Sequence, residues 1–192
     1  MNNAFFENEV AAALNCLRMG GVLLYPTDTV WGLGCNATNK EAIDRIYTIK
    51  KRSDEKSLIM LVAEERDIFN YVAAVDLELF DFLSAQEKPT TTIFDGALNL
   101  PQNLIKEDGT IAIRIVKDEF CRHLIKRLQQ PLISTSANIS GAPSPSDFSS
   151  IEQRIKESVD HIVQYRQNER INATPSQIIR WKKDGTVEYI RK

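Results

Sequence analysis

The chain has 192 residues, 43% of them hydrophobic and 26% charged, with 24 Lys and Arg against 26 Asp and Glu for a net charge of −2. These figures describe one globular domain with a sizeable core and exclude a global basic field, so any anionic ligand must be held by a local cluster. Three scattered cysteines and two histidines give neither a disulfide framework nor a zinc pattern. No apolar run reaches the roughly 18 residues of a membrane span, and a reducing cytoplasm is the expected setting.

In chain order, Phe6, Val10, Ala13, Leu14 and Leu17 make a helical stripe over residues 5–19, stopped by Gly20 and Gly21. Residues 22–25 read as a buried strand and Pro26–Thr29 as irregular. Asn39 can cap a helix through Lys50 whose inner face is Ala42, Ile43, Ile46, Tyr47 and Ile49. A strand at 57–62 precedes helical patterns at 64–74 and 77–86, the second ending before Lys88-Pro89. Strands at 91–94 and 110–115 follow, then an amphipathic helix at 118–128, a short strand at 132–133 and a loop through 144–150. A helix at 151–158 and strands at 161–164, 176–181 and 187–190 end the chain, the last two joined by a Lys-Lys-Asp-Gly hairpin signal. This mixed order predicts an α/β (α+β) fold: a single domain over 1–192, with a twisted mixed sheet flanked by helices and no extra C-terminal domain.

Three stretches carry chemistry. Tyr25-Pro26-Thr27-Asp28-Thr29-Val30-Trp31-Gly32-Leu33-Gly34 sets small oxygen-bearing side chains after a buried strand, with two glycines that let backbone approach a ligand. It suits either an amino-acid site or an ordinary Asx/ST turn, and Trp31 reads as core or pocket wall. Lys50-Lys51-Arg52-Ser53-Asp54-Glu55-Lys56 places four cations at a helix end, fitting a solvated terminus or a polyphosphate clamp. Ser134-Thr135-Ser136-Ala137-Asn138-Ile139-Ser140-Gly141 offers hydroxyls and an amide after a strand, fitting a capped turn or a binding loop for phosphate or carbamate. Neither GxxxxGK[ST] nor GxGxxG occurs, and Cys35 has no histidine near it in sequence to activate it.

Taken together, these stretches resemble the YrdC-like family of threonylcarbamoyl-AMP synthases, with its aromatic-Pro-Thr-acid-Thr, Lys-x-Arg and Ser-x-Asn motifs in order; the resemblance runs from Gly20 to about Ile179. It implies an open fold around a concave cavity. The implied enzyme is a nucleotidyltransferase that makes threonylcarbamoyl-AMP and pyrophosphate from L-threonine, bicarbonate and ATP. It would carry Mg²⁺ on the nucleotide, hold no protein-bound metal, and act in the cytoplasm with a tRNA-modifying transferase complex downstream.

By position, the resemblance makes Lys50, Arg52, Ser136 and Asn138 the catalytic set. Those four, with Thr110, Ser144 and Arg191, would contact the nucleotide, and Thr27, Arg114, Ser134 and Ser176 would contact the substrate. The sequence departs from the family pattern at Lys51, Ser53, Ser57, Leu61, the segment Lys88-Pro89-Thr90-Thr91-Thr92, and Gln177. Two competing readings are an RNA-binding module, which the chain's lack of an RNP-type aromatic motif disfavours, and a catalytically degraded paralogue.

Overall fold

A computed structural model describes residues 3–51, 58–169, 174–182 and 184–192. The chain begins with α1 (Asn3–Arg18), which buries Val10, Ala13, Leu14 and Leu17 on one stripe. It ends because Gly20 takes a left-handed φ of 77°, and the following Gly21 amide returns to the Cys16 carbonyl. Next come β1 (Leu23–Tyr25) and β2 (Gly32–Asn36), then α2 (Lys40–Lys50), whose Asn39 cap accepts from the Ala42 amide as predicted. Such a cap is worth about 1 kcal/mol.

β3 (Ile59–Val62), α3 (Glu65–Ile68), α4 (Glu78–Ser84) and β4 (Thr90–Phe94) follow, then β5 (Ile111–Ile115) and α5 (Glu119–Leu128), capped by Asp118 on the Cys121 amide. The remainder is β6 (Leu132–Ser136), α6 (Gln153–Lys156), β7 (His161–Ile162), β8 (Gln177–Trp181) and β9 (Val187–Arg191).

Among the described residues the strands form one nine-stranded mixed sheet in the order β7-β1-β2-β6-β3-β5-β4-β8-β9. The pairs β1–β7, β3–β5 and β4–β8 are parallel and the others antiparallel. Strand side chains alternate between faces. One face packs Met60, Val62, Ile111, Ile113 and Ile133 against Ala42, Ile43, Ile46 and Tyr47 of α2. The other packs Leu23, Tyr25, Leu61 and Leu132 against α1 and α5, through residues such as Leu17, Phe120 and Leu124. Full burial of side chains of this size contributes about 1.5–3 kcal/mol each. The same face carries Ile59, Ala112, Ile93 and Ile178 further along the sheet, and these line an open cavity.

Four local expectations are corrected. The helix expected over 64–74 is one turn, because Val72 bridges Ala97 and the Ala73 amide bonds the Gly96 carbonyl, which draws the chain into extended structure. The helix expected over 151–158 is likewise one turn, α6. The strand at 132 runs on to Ser136, so the first three hydroxyls of the third stretch stand on a strand. Gly32 and Gly34 belong to β2, where a Cβ at Gly34 would stand 2.6 Å from the Ile133 carbonyl oxygen and 2.5 Å from Tyr25 Cε1. Their smallness serves packing against β6 and Tyr25.

Candidate active site

The cavity measures about 430 Å³ and is built where the first and third stretches meet β5, β8 and β9. Its floor follows from register. Gly34 pairs with Ser134, Ser134 with Ile59, Ile59 with Ala112, and Ala112 with Ile93, giving a row that runs from hydroxyl to small and apolar side chains. One polar wall comes from Thr29, Ser134, Thr135, Ser136 and Ser144, and the other from Ser176 and Arg191.

Between β1 and β2 the chain turns through Pro26 to Trp31. Thr27 Oγ1 accepts from the amides of Thr29 (3.0 Å) and Val30 (3.3 Å), lies 2.9 Å from Thr29 Oγ1, and donates to the Val30 carbonyl at 2.8 Å. Thr27 thus builds the turn, and Thr29 is the threonine that faces the cavity. Arg114 reaches this turn from β5. Its Nη1 donates to Thr29 Oγ1 at 3.3 Å, and its Nη2 lies 3.1 Å from Asp28 Oδ1.

On the far side, Ser176 Oγ lies 2.8 Å from Thr91 Oγ1, and the Ser176 carbonyl accepts from Arg191 Nε (3.1 Å) and Nη2 (2.7 Å). The carbonyl contact partly encloses the Arg191 guanidinium, although the residue as a whole is exposed. That desolvation, followed by repulsion from Arg114, pulls Arg191 below the ordinary guanidinium value.

The second stretch is joined to the third by Lys50. This lysine is only 2% exposed, and its ammonium donates to the carbonyls of Ser136 (2.6 Å) and Asn138 (2.8 Å). The Lys50 carbonyl in turn accepts from the Ser140 amide. A solvated helix end is therefore ruled out for Lys50, which braces the segment carrying Ser136 and Asn138. Asn138 Nδ2 ties that segment further by donating to the carbonyls of Ile139 and Ala142, while its buried Oδ1 is unpartnered.

Three cations line the cavity, Lys106, Arg114 and Arg191, and no carboxylate does among the described residues. A chain of net charge −2 thereby holds a locally positive, hydroxyl-rich site suited to anions. Nucleophilic thiols are not part of it. Burial pushes Cys35 and Cys121 well above the thiol range and raises Cys16 to about 11. Trp31 is core, 4.9 Å from the Phe148 ring centre. Among the described residues no three His, Cys, Asp or Glu side chains cluster to hold a metal.

The Sua5–YciO–YrdC family model, described as "Telomere recombination", matches residues 15–192. The chain belongs to this family. It is 32% identical over 160 residues to the threonylcarbamoyl-AMP synthase of Pseudoalteromonas translucida, spanning 82% of this chain and 86% of that protein. The synthase of Coxiella burnetii (strain RSA 493) is 32% identical over 83% of this chain and 86% of its own length. Among solved structures, P. abyssi Sua5 complexed with L-threonine superposes with a TM-score of 0.84 at 25% identity; the match covers 95% of this chain and 53% of that one, so this chain spans about half of Sua5. E. coli YciO shares the fold at a TM-score of 0.83 and 24% identity, over 97% of this chain and 89% of its own.

Within this family member, Arg114, Ser134, Ser136, Ser144, Ser176 and Arg191 all line one cavity. Thr27, Lys50 and Asn138 stand in the layer behind its wall, each bonded to backbone. Thr110 is buried away from the lining, its hydroxyl donating to Asp108 Oδ1 at 2.6 Å. Arg52 and the departures Ser53 and Ser57 lie outside the described residues. Leu61 is fully buried among the side chains of α1 and α5, and Gln177 bonds Thr90 Oγ1 and Gln86 Oε1. Sequence reasoning missed Thr29 and Lys106 as lining residues. Thr29 was legible as the second threonine of its motif, whereas Lys106 had no local signal.

Proposed function

We propose that this cavity makes threonylcarbamoyl-AMP from L-threonine, bicarbonate and ATP. The observation that carries the reading is one cavity lined by three cations and a bank of hydroxyls with no carboxylate, in a chain whose relatives are named for this synthesis. The threonine ammonium first gives up a proton to solvent; the amine then attacks the bicarbonate carbon and water leaves, giving a carbamate. A carbamate oxygen then attacks the α-phosphorus of ATP, and the bond to the bridging oxygen breaks to expel pyrophosphate. Neither step needs a covalent enzyme intermediate. The demand is for alignment of two anions and neutralisation of the charge that builds at phosphorus.

Arg114, Thr29 and Ser134 hold the amino acid at the inner end, and Ser176 reaches it from the opposite wall beside Arg191. Ser136, Ser144, Lys106 and Arg191 hold the nucleotide toward the mouth, with Arg52 assigned there from its motif alone. Lys50, Asn138, Thr27 and Thr110 act from behind by fixing the segments that carry these groups. With no carboxylate on the described lining, Mg²⁺ arrives as part of the ATP substrate and is held by the phosphates. The product passes to a tRNA-modifying transferase in the cytoplasm; no helix among the described residues is long and apolar enough to cross a membrane.

The test is pyrophosphate release from ATP with each of the twenty amino acids in turn. Release that depends on threonine and bicarbonate supports the synthase. Salt-sensitive RNA binding without ATP turnover would favour an RNA-binding module, and silence with every amino acid would favour a degraded paralogue.

A further inference from the structure

The cavity is graded in burial and in charge compensation. At the inner end the Arg114 side chain is 4% exposed and lies against a full counter-charge, the Asp28 carboxylate, 15% exposed. Toward the mouth, Arg191 is exposed and donates to a neutral carbonyl. Lys106 makes no ion pair among the described residues, although it lies close enough to help lower the Asp108 carboxyl, which is held down chiefly by the Thr110 hydroxyl.

The Asp28–Arg114 contact is close but unaligned, since Asp28 Oδ1 and Arg114 Nε are both buried without a hydrogen-bond partner. Charge rather than a directed bond holds the pair. Asp28 is placed from the other side by the Lys117 amide, 3.4 Å from Oδ2. Removing a buried partner would leave Arg114 an uncompensated cation.

We propose that Asp28 sorts the two anionic substrates along the cavity. By compensating Arg114, it leaves the inner end able to take one carboxylate that arrives with its own ammonium group, and hostile to a polyphosphate. A zwitterionic amino acid adds no net charge beside Asp28. A triphosphate would bring several negative charges next to it in a partly enclosed site, where screening is weak. Arg191, which faces only a neutral carbonyl, and Lys106, which is in no ion pair among the described residues, therefore receive the phosphates, and the amine and the α-phosphate approach each other from opposite ends. Asp28 is a positioning and specificity residue here, acting through Arg114. This rests on the reading of the cavity as the threonine and ATP site.

The probe is inorganic tripolyphosphate as an inhibitor of threonylcarbamoyl-AMP formation, followed by mass spectrometry. In the unmodified protein it should compete with ATP while leaving the KM for threonine within twofold. In Asp28→Asn, which keeps size and removes charge, tripolyphosphate at the same concentration should raise the KM for threonine tenfold or more. Asp28→Glu should keep the original pattern. Loss of side-chain shape alone would lower activity without changing which substrate the inhibitor competes with. An Asp28→Asn protein in which tripolyphosphate still ignores threonine would overturn the proposal; Asp28→Ser supplies a second neutral variant should the asparagine fail to fold. Calorimetric titration with tripolyphosphate separates this idea from the synthase reading. If the unmodified protein makes no product, the synthase reading falls, yet tighter tripolyphosphate binding by Asp28→Asn still supports the sorting role and unchanged binding refutes it.

Discussion

Replacing Lys50 by methionine tests whether the lysine braces the site from behind or serves only as a ligand contact. Methionine keeps most of the stem and removes the ammonium that bonds the carbonyls of Ser136 and Asn138 at 2.6 and 2.8 Å. Hydrogen bonds to a charged group contribute about 1.5–3 kcal/mol each, and the gross loss is set against the desolvation the buried ammonium no longer suffers. A net destabilisation of about 2–4 kcal/mol follows, most of it from the Asn138 carbonyl losing its donor, since the Ser136 carbonyl also accepts from the Asn138 amide. For a chain of this length each kcal/mol moves Tm by about 2–4 °C, so Tm should fall by roughly 5–15 °C. Urea and thermal melts measure this, and ATP turnover at a temperature where the variant is folded should drop as well, because Ser136 loses its fixed place. A variant with unchanged Tm and impaired turnover would refute the brace and leave Lys50 a ligand contact only.

Gly34→Ala should destabilise by about 1–3 kcal/mol through overpacking against the Ile133 carbonyl and Tyr25, read from urea melts, whereas Gly109, with open space around it, would feel only the cost of a side chain at its left-handed φ of 76°, about 1–2 kcal/mol. The Arg45–Asp160 pair (2.8 Å) holds the Asp160 carboxyl below the ordinary range, chiefly through the Arg45 hydrogen bond. A depressed folded pKa stabilises above the unfolded value near 4 and ceases to do so as pH falls through the folded one. Asp160→Asn should thus be less stable than the unmodified protein at pH 7, by about 0.2–1 kcal/mol for so exposed a pair. The two should converge in melts at pH values below the folded Asp160 pKa. Serine should be used about 10–200-fold less well than threonine, as one methyl in a pocket allows. Valine should be rejected harder because the donors that read a hydroxyl are left unpaired, and equal kcat/KM for valine and threonine would remove the amino-acid assignment.

Most strands and the long helices were legible because periodicity and caps agree: Asn39 caps α2 where its side chain predicts, and α5 starts one residue inside the expected 118–128. β2 was not, because glycine at 32 and 34 signals a loop locally, and its need comes from Tyr25 and β6 across the sheet. The helix over 64–74 shortened for a similar reason, since the bridge from Val72 to Ala97 overrode local pattern. In the site, motif order located the cavity, but which threonine faces it is decided by the turn that Thr27 closes on itself. Lys106 enters from a loop whose path nothing nearby in sequence encodes.

The central claim is that one cavity joins bicarbonate carbon to threonine nitrogen and then to the adenylate. Incubation with ¹³C-bicarbonate, L-threonine and ATP, followed by mass spectrometry of the nucleotide fraction, tests it most directly. A threonine-dependent adenylate one mass unit heavier than its unlabelled counterpart should form together with pyrophosphate. An adenylate that forms without the label, or pyrophosphate release indifferent to bicarbonate, would contradict it.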